Sequence, residues 1–113
     1  MHEVGLIQEA VRMAAESAER AGASRVCRLR LRVGRMSGAV PEALQFAFEL
    51  VRLGTIAEGA ALEIESVPAV CWCAGCQTEF MCEDFLNECP RCHGLSGELR
   101  RGTELEVASV EVS

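Results

Sequence analysis

Aromatic residues are scarce in this chain of 113 residues, in which tyrosine is absent and Trp72 is the single tryptophan. Proteins that bind single-stranded nucleic acids stack bases on aromatic side chains, and the formal net charge of −6 repels phosphate groups. Arg28, Arg30 and Arg32 alternate along one predicted strand, which indicates a solvated face rather than a phosphate-binding one. Nucleic acid is therefore disfavoured as a partner.

Long apolar runs are also missing, although 50% of the residues are hydrophobic. Charged residues interrupt each hydrophobic stretch, so that no segment reaches the roughly 20 apolar residues needed to span a membrane. The first ten residues have neither the basic nor the apolar region of a signal peptide. We therefore expect no membrane contact and a reducing, cytoplasmic location.

The chain does contain seven cysteines, and four of them form two C-x-x-C pairs separated by twelve residues: Cys73, Cys76, Cys89 and Cys92. Each pair places two thiolates on the same side of a tight turn, and two facing turns supply the tetrahedron that zinc prefers. Because protein would fill all four positions, the spacing predicts a structural zinc site rather than a hydrolytic one. Iron bound by the same sulfurs, as in a rubredoxin-like electron carrier, remains an alternative.

The other cysteines carry weaker signals. Cys27 is in phase with the apolar face of a predicted strand, which indicates a small core residue. Cys71 and Cys82 are interpreted as spare thiols, although Cys71 could also compete for the ion or form a redox pair with a neighbour. His93 follows Cys92 directly, either as an exposed loop histidine or as a titratable group beside the metal.

Hydrophobic periodicity predicts two helices, the first over 4–21 and the second from Pro41 to near Gly54. Phe46 and Leu50 widen the apolar stripe of the second helix and are predicted to lie in the core. Alternation predicts three strands, over 26–33, 61–67 and 103–112. The acidic face of the second strand is expected to pair with the arginine face of the first, and a phase slip at Ala108 indicates a bulge in the third.

These elements predict an α+β fold, with a small three-stranded sheet packed with two helices and an inserted zinc-ribbon-like module. Residues 1–70 and 98–113 would form the α+β domain, and residues 71–97 the zinc-binding module. The module is expected to be an insertion because its composition is turn-rich and cysteine-rich.

The extreme N-terminus, Met1-His2-Glu3, offers a set of nitrogen donors. The α-amine, the backbone amide and imidazole of His2, and the deprotonated amide of Glu3 could bind one ion in a plane, which suits Ni(II) or Cu(II). Taken alone the signal is weak, because a histidine near a chain terminus is usually a solvated residue. A zinc-ribbon binding module without any transported metal would give His2 no role.

Three elements together, namely Met1-His2-Glu3, the stretch VPEALQFAFE over 40–49 and the cysteine quartet, closely resemble the HypA/HybF hydrogenase nickel-maturation family. The resemblance covers nearly the whole chain. It implies a nickel metallochaperone, not an enzyme, that works with a HypB-type GTPase and helps load the [NiFe]-hydrogenase large subunit.

The resemblance also implies roles for particular residues. It assigns transported nickel to Met1, His2 and Glu3, and it gives His93 a possible link to nickel or to pH. Structural zinc is assigned to the quartet Cys73, Cys76, Cys89 and Cys92. The sequence does not distinguish a monomer from a homodimer.

Overall fold

The structure is a computed structural model that describes residues 3–82 and 87–113. The elements follow the order α1 Glu3–Arg20, β1 Val26–Gly34, α2 Pro41–Val51, β2 Ala61–Val67, β3 Val70–Cys73, β4 Thr78–Met81, β5 Glu98–Arg101 and β6 Leu105–Val112. They form two three-stranded sheets, which together with the two helices confirm the predicted α+β class. No helix within the described ranges is long and apolar enough to cross a membrane.

The main sheet has the strand order β2-β1-β6, with β1 parallel to β2 and antiparallel to β6. Helix α2 connects the two parallel strands, because parallel neighbours need a crossover connection. Leu29 and Leu31 of β1 belong to one hydrophobic core with Ile7 and Ala14 of α1 and Phe48 of α2. Both helices therefore cover the apolar face of this sheet.

The opposite face of the main sheet carries the predicted pairing of charges. Arg30 lies 2.9 Å from a carboxylate oxygen of Glu63. Arg32 lies between Glu65 at 2.7 Å and Glu106 at 2.8 Å. These groups are substantially exposed, so the pairs fix strand register more than they stabilise the fold.

The phase slip at Ala108 is confirmed as a bulge. Arg30 is opposite Ser109 whereas Leu31 is opposite Val107, which leaves Ala108 without a partner on β1. The extra residue lets the apolar alternation resume on the same face.

A second irregularity overturns the prediction for Cys27. The register shifts between Val26 and Arg28, so the side chain of Cys27 is only half-buried and its sulfur lies 3.4 Å from the Ser113 hydroxyl. Val26, 1% exposed, takes the core position instead.

The prediction that Phe46 and Leu50 lie in the core is wrong, since they are 69% and 56% exposed. At about 100° per residue, Phe46 and Leu50 are roughly 200° and 240° around the helix from Leu44. Leu44 and Phe48 are buried on the face toward the core. The apolar residues of α2 thus occupy two opposite faces rather than one broad stripe.

The second sheet has the order β4-β3-β5, and both pairings are antiparallel. Its hydrophobic cluster is separate from the main core, and its buried members among the described residues are mostly cysteines: Ala69, Cys71, Cys73, Phe80, Cys82 and Cys89. The sheet begins at Val70 and ends at Arg101, which is wider than the range 71–97 expected for the metal module. The division into two domains stays a prediction.

The end of β1 contacts the segment that leaves the second sheet. The Met36 amide donates to the Gly102 carbonyl at 2.7 Å, and the Gly34 amide donates to the Glu104 carbonyl at 2.7 Å. A Cβ at Gly34 would lie 2.0 Å from the Gly102 carbonyl oxygen. This close approach of two backbones requires glycine at position 34.

We expect Gly34→Ala to lower the free energy of unfolding by about 3 kcal/mol, because backbone atoms must move to admit the methyl group. Gly59→Ala is the matched control, since its added Cβ meets nothing within 4 Å, and it should change stability by less than about 0.5 kcal/mol. Urea denaturation of both variants would measure the difference. Equal free energies of unfolding for the two variants would mean that the backbone segments at Gly34 and Gly102 can move apart at little cost.

Candidate metal centre

The sulfur atoms of Cys73, Cys76, Cys89 and Cys92 all lie within 4.8 Å of one another. The sulfurs of Cys73 and Cys92, one from each C-x-x-C pair, are 3.5 Å apart. A tetrahedral zinc ion with bonds of about 2.3 Å holds its sulfurs roughly 3.8 Å apart. The structure therefore brings the predicted quartet together in a site whose size and donors fit a structural metal ion.

The first knuckle is the turn of the β3–β4 hairpin. Cys73 is the last residue of β3, and Cys76 lies in the turn that leads to Thr78 at the start of β4. The Cys76 amide donates to the Cys73 sulfur at 3.4 Å. Gln77 adopts a φ of +51°, which reverses the chain directly after the second cysteine.

The second knuckle is a separate short loop. The Cys89 amide donates to the Gly94 carbonyl at 2.9 Å, and the His93 amide donates back to the Cys89 carbonyl at 2.8 Å. The Gly94 amide donates to the Cys92 sulfur at 3.4 Å. Both knuckles thus aim backbone N–H groups at sulfur, and such hydrogen bonds stabilise thiolates.

A hydroxyl group links the second knuckle to the second sheet. Ser96 donates through Oγ to the Trp72 carbonyl oxygen of β3 at 2.5 Å. Arg100 of β5 lies over the Trp72 ring, 4.5 Å from its centre. The loop that carries Cys89 and Cys92 is therefore held beside the strand that carries Cys73.

The pKa values of two thiols of the quartet are shifted in opposite directions. Backbone N–H groups of Cys92 and Arg91 lower the pKa of Cys89 to about 7. A hydrogen bond with the Cys92 side chain, together with burial, raises the pKa of Cys76 to about 12. One thiolate forms readily, whereas four so close together need a cation to offset their repulsion.

A metal ion held by these four cysteines would have no coordination position left for water. Such a centre crosslinks the two knuckles and does not activate a nucleophile. The arrangement is suited to holding the second sheet together.

The predicted nickel ligands are only partly described. Met1 and His2 lie outside the described residues. Glu3 is the first residue of α1 and lines an open cleft together with Leu6, Ser37, Gly38, Ala39 and Leu105. His93 lies in the second knuckle with a side chain 75% exposed, and its Nδ1 is 3.2 Å from a Glu88 carboxylate oxygen.

The sequence favours spare thiols for Cys71 and Cys82 and allows a redox pair of Cys71 with a neighbour, but it does not identify Cys82 as that neighbour. Both are buried, and their sulfur atoms are 2.6 Å apart. The available signal was the hairpin itself, because residues on one face of two paired strands are neighbours.

Comparison with known proteins gives a full-length match. A family model described as "Hydrogenase/urease nickel incorporation, metallochaperone, hypA" matches residues 1–112. "Hydrogenase maturation factor HypA" of Picosynechococcus sp. is 48% identical over 112 residues and covers 99% of both chains. The protein of the same name from Methylocella silvestris is 40% identical, also with 99% of both chains covered.

Solved structures show the same fold. The solution structure of the Ni metallochaperone HypA from Helicobacter pylori matches with a TM-score of 0.70 at 23% identity, covering 99% of this chain and 97% of that one. A second solution structure of HypA protein matches with a TM-score of 0.74 at 23% identity, covering 100% of this chain and 97% of that one.

Proposed function

This chain belongs to the HypA family of nickel-incorporation metallochaperones, and from that premise we propose that it binds Ni(II) at its N-terminus and helps insert it into the large subunit of a [NiFe]-hydrogenase. The observation that carries the proposal is the match over residues 1–112, because it includes both Met1-His2-Glu3 and the cysteine quartet. The role is that of a carrier and not of an enzyme.

Nickel would be bound by the Met1 amine, by the backbone amide and imidazole of His2, and by the Glu3 amide. The position of Glu3 supports the last ligand. Glu3 lies in the first turn of α1, where backbone amides have no partner carbonyl within the helix. Deprotonation of this amide by a metal therefore breaks no hydrogen bond of the helix.

A site built at a chain terminus also suits transfer. Its ligands come from consecutive residues rather than from several core elements, so a partner can replace them one at a time by ligand exchange. A closed cage like the cysteine quartet would release its ion far more slowly.

Zinc is the ion that we propose for Cys73, Cys76, Cys89 and Cys92, because four thiolates in a tetrahedron are a donor set typical of structural zinc. Bound there, zinc would supply a crosslink. We further propose a HypB-type GTPase and the hydrogenase large subunit as protein partners, in the cytoplasm. His93 has no ligand role in this proposal.

Calorimetric titration of nickel into untagged, zinc-loaded protein beginning at Met1 tests the proposal. We expect one equivalent of nickel to bind, and His2→Ala to weaken that binding at least about 100-fold, equivalent to about 2.8 kcal/mol. A chain extended before Met1 should lose affinity as well, since its α-amine is no longer at this position.

His93→Ala is the matched control, because it removes the other histidine and should leave nickel affinity unchanged. Equal nickel affinity in all four proteins would show that the N-terminal site is wrong. A zinc-ribbon binding module without transported metal would then be the better account. A red, redox-active protein containing iron would instead support the electron carrier.

A further inference from the structure

The chain holds two kinds of close cysteine contact. In the quartet, the sulfurs of Cys73 and Cys92 are 3.5 Å apart. The sulfurs of Cys71 and Cys82 are 2.6 Å apart, and these residues are 0% and 4% exposed. The second contact is therefore shorter and shielded from solvent.

The backbone of the hairpin explains this contact. Cys71 of β3 is opposite Phe80 of β4, and the Cys82 amide donates to the Ala69 carbonyl at 3.1 Å. Cys71 and Cys82 are thus diagonal neighbours whose side chains share the buried face of the second sheet. Their meeting follows from the register of the strands.

The spacing does not suit an ion shared by the two sulfurs. Two thiolates on one tetrahedral zinc ion are separated by roughly 3.8 Å, whereas this pair is closer by more than 1 Å. A disulfide bond is about 2.05 Å long, so a small approach of the two side chains suffices to form one. The pair is suited to a covalent bond and not to a second metal site.

We propose that Cys71 and Cys82 form a reversible disulfide that is separate from the metal quartet, with a low-molecular-weight disulfide as the oxidant. When the hairpin opens locally, one thiolate attacks the small disulfide and releases one small thiol, giving a mixed disulfide. The second cysteine sulfur attacks that mixed disulfide and releases the other small thiol. Two electrons pass to the oxidant, and the two protons of the protein thiols end on the released thiols.

The location of this bond gives it a structural consequence. Cys71 and Cys82 close the open end of the β3–β4 hairpin, and the turn at its other end carries the metal ligands Cys73 and Cys76. A bond at the open end keeps the two strands in register and shortens the chain segment free to move. The first knuckle then stays in place when the metal dissociates.

Mass spectrometry of the zinc-loaded full chain after long incubation with oxidised glutathione tests the proposal. We expect a loss of about 2 Da, the mass of two hydrogens, reversed by dithiothreitol. After denaturation, chelation and alkylation, two of the seven thiols should be blocked, and proteolysis should yield a peptide pair joined through Cys71 and Cys82. Zinc content should not change.

Cys71→Ser and Cys82→Ser should each abolish the 2 Da loss, whereas the matched control Cys27→Ser should retain it. Mapping of the wild-type protein decides the question even if a variant fails to fold. Full alkylation of Cys71 and Cys82, a stable glutathione adduct, or a bond to a quartet cysteine would each overturn the disulfide.

In the oxidised protein, zinc release to a chelator should slow about tenfold, and an unchanged rate would contradict the role in holding the knuckle.

Discussion

Removal of the metal is expected to unfold the second sheet while the main sheet stays folded. Within residues 3–82 and 87–113, the buried cluster of the second sheet contains only Ala69 and Phe80 apart from cysteines, with Met36 and Leu99 partly buried against it. So little apolar surface cannot offset the conformational entropy of ordering the strands. A structural zinc ion supplies about 10 kcal/mol or more of folding free energy, so a zinc ion held by the quartet would be the main source of stability there.

Hydrogen exchange monitored residue by residue would measure this effect in reduced protein, with and without a strong chelator. Amides of β3, β4 and β5 should lose protection, whereas those of β1, β2 and β6 should keep it. Cys89→Ser should reproduce the loss, because Cys89 is fully buried within the quartet. Cys27→Ser, which removes a cysteine outside the quartet, should retain the metal and its protection.

Two results would contradict the expectation. Protection of β3 after complete chelation would mean that the sheet is stable without metal. Simultaneous loss of both sheets would mean that they unfold as one cooperative unit, joined through the contact of Gly34 with Gly102. Gly34→Ala disrupts this contact without removing a metal ligand, so chelation of that variant would test whether the contact causes the two sheets to unfold together.

Local sequence signals were sufficient for most of the fold. The C-x-x-C spacing indicated the quartet because each pair forms its own turn, and Pro41 correctly marked the start of α2. The bulge at Ala108 was visible because apolar alternation breaks there and resumes afterwards. The bulge at Cys27 left no such signal, since only one strand residue precedes it.

Features that depend on distant contacts could not be read in this way. The segment 98–101, with the sequence ELRR, offers little alternation, and it forms β5 by pairing with β3. The approach of Gly34 to Gly102 joins residues far apart in the chain. The contact of Cys71 with Cys82 requires the register of a hairpin that was not itself predicted.

In helix α2, the prediction for Phe46 failed because apolar residues were counted without regard to their angular positions around the helix axis. Phe46 and Phe48 are two residues apart, so their side chains point in directions separated by roughly 200°. Phe48 is 1% exposed and packs in the main core, whereas Phe46 is 69% exposed. The same residue type thus occupies two opposite environments in one helix.

Phe48→Ala is therefore expected to lower the free energy of unfolding by about 3–5 kcal/mol, because it removes a fully buried ring and leaves a cavity between the helices and the sheet. Phe46→Ala makes the same chemical change on the exposed face and should cost less than about 0.5 kcal/mol. Urea denaturation of the zinc-loaded proteins, followed by helical circular dichroism, would give both values. If the loss in Phe46→Ala equals that in Phe48→Ala and grows with protein concentration, Phe46 is buried between copies of the chain and the exposed face of α2 is an interface.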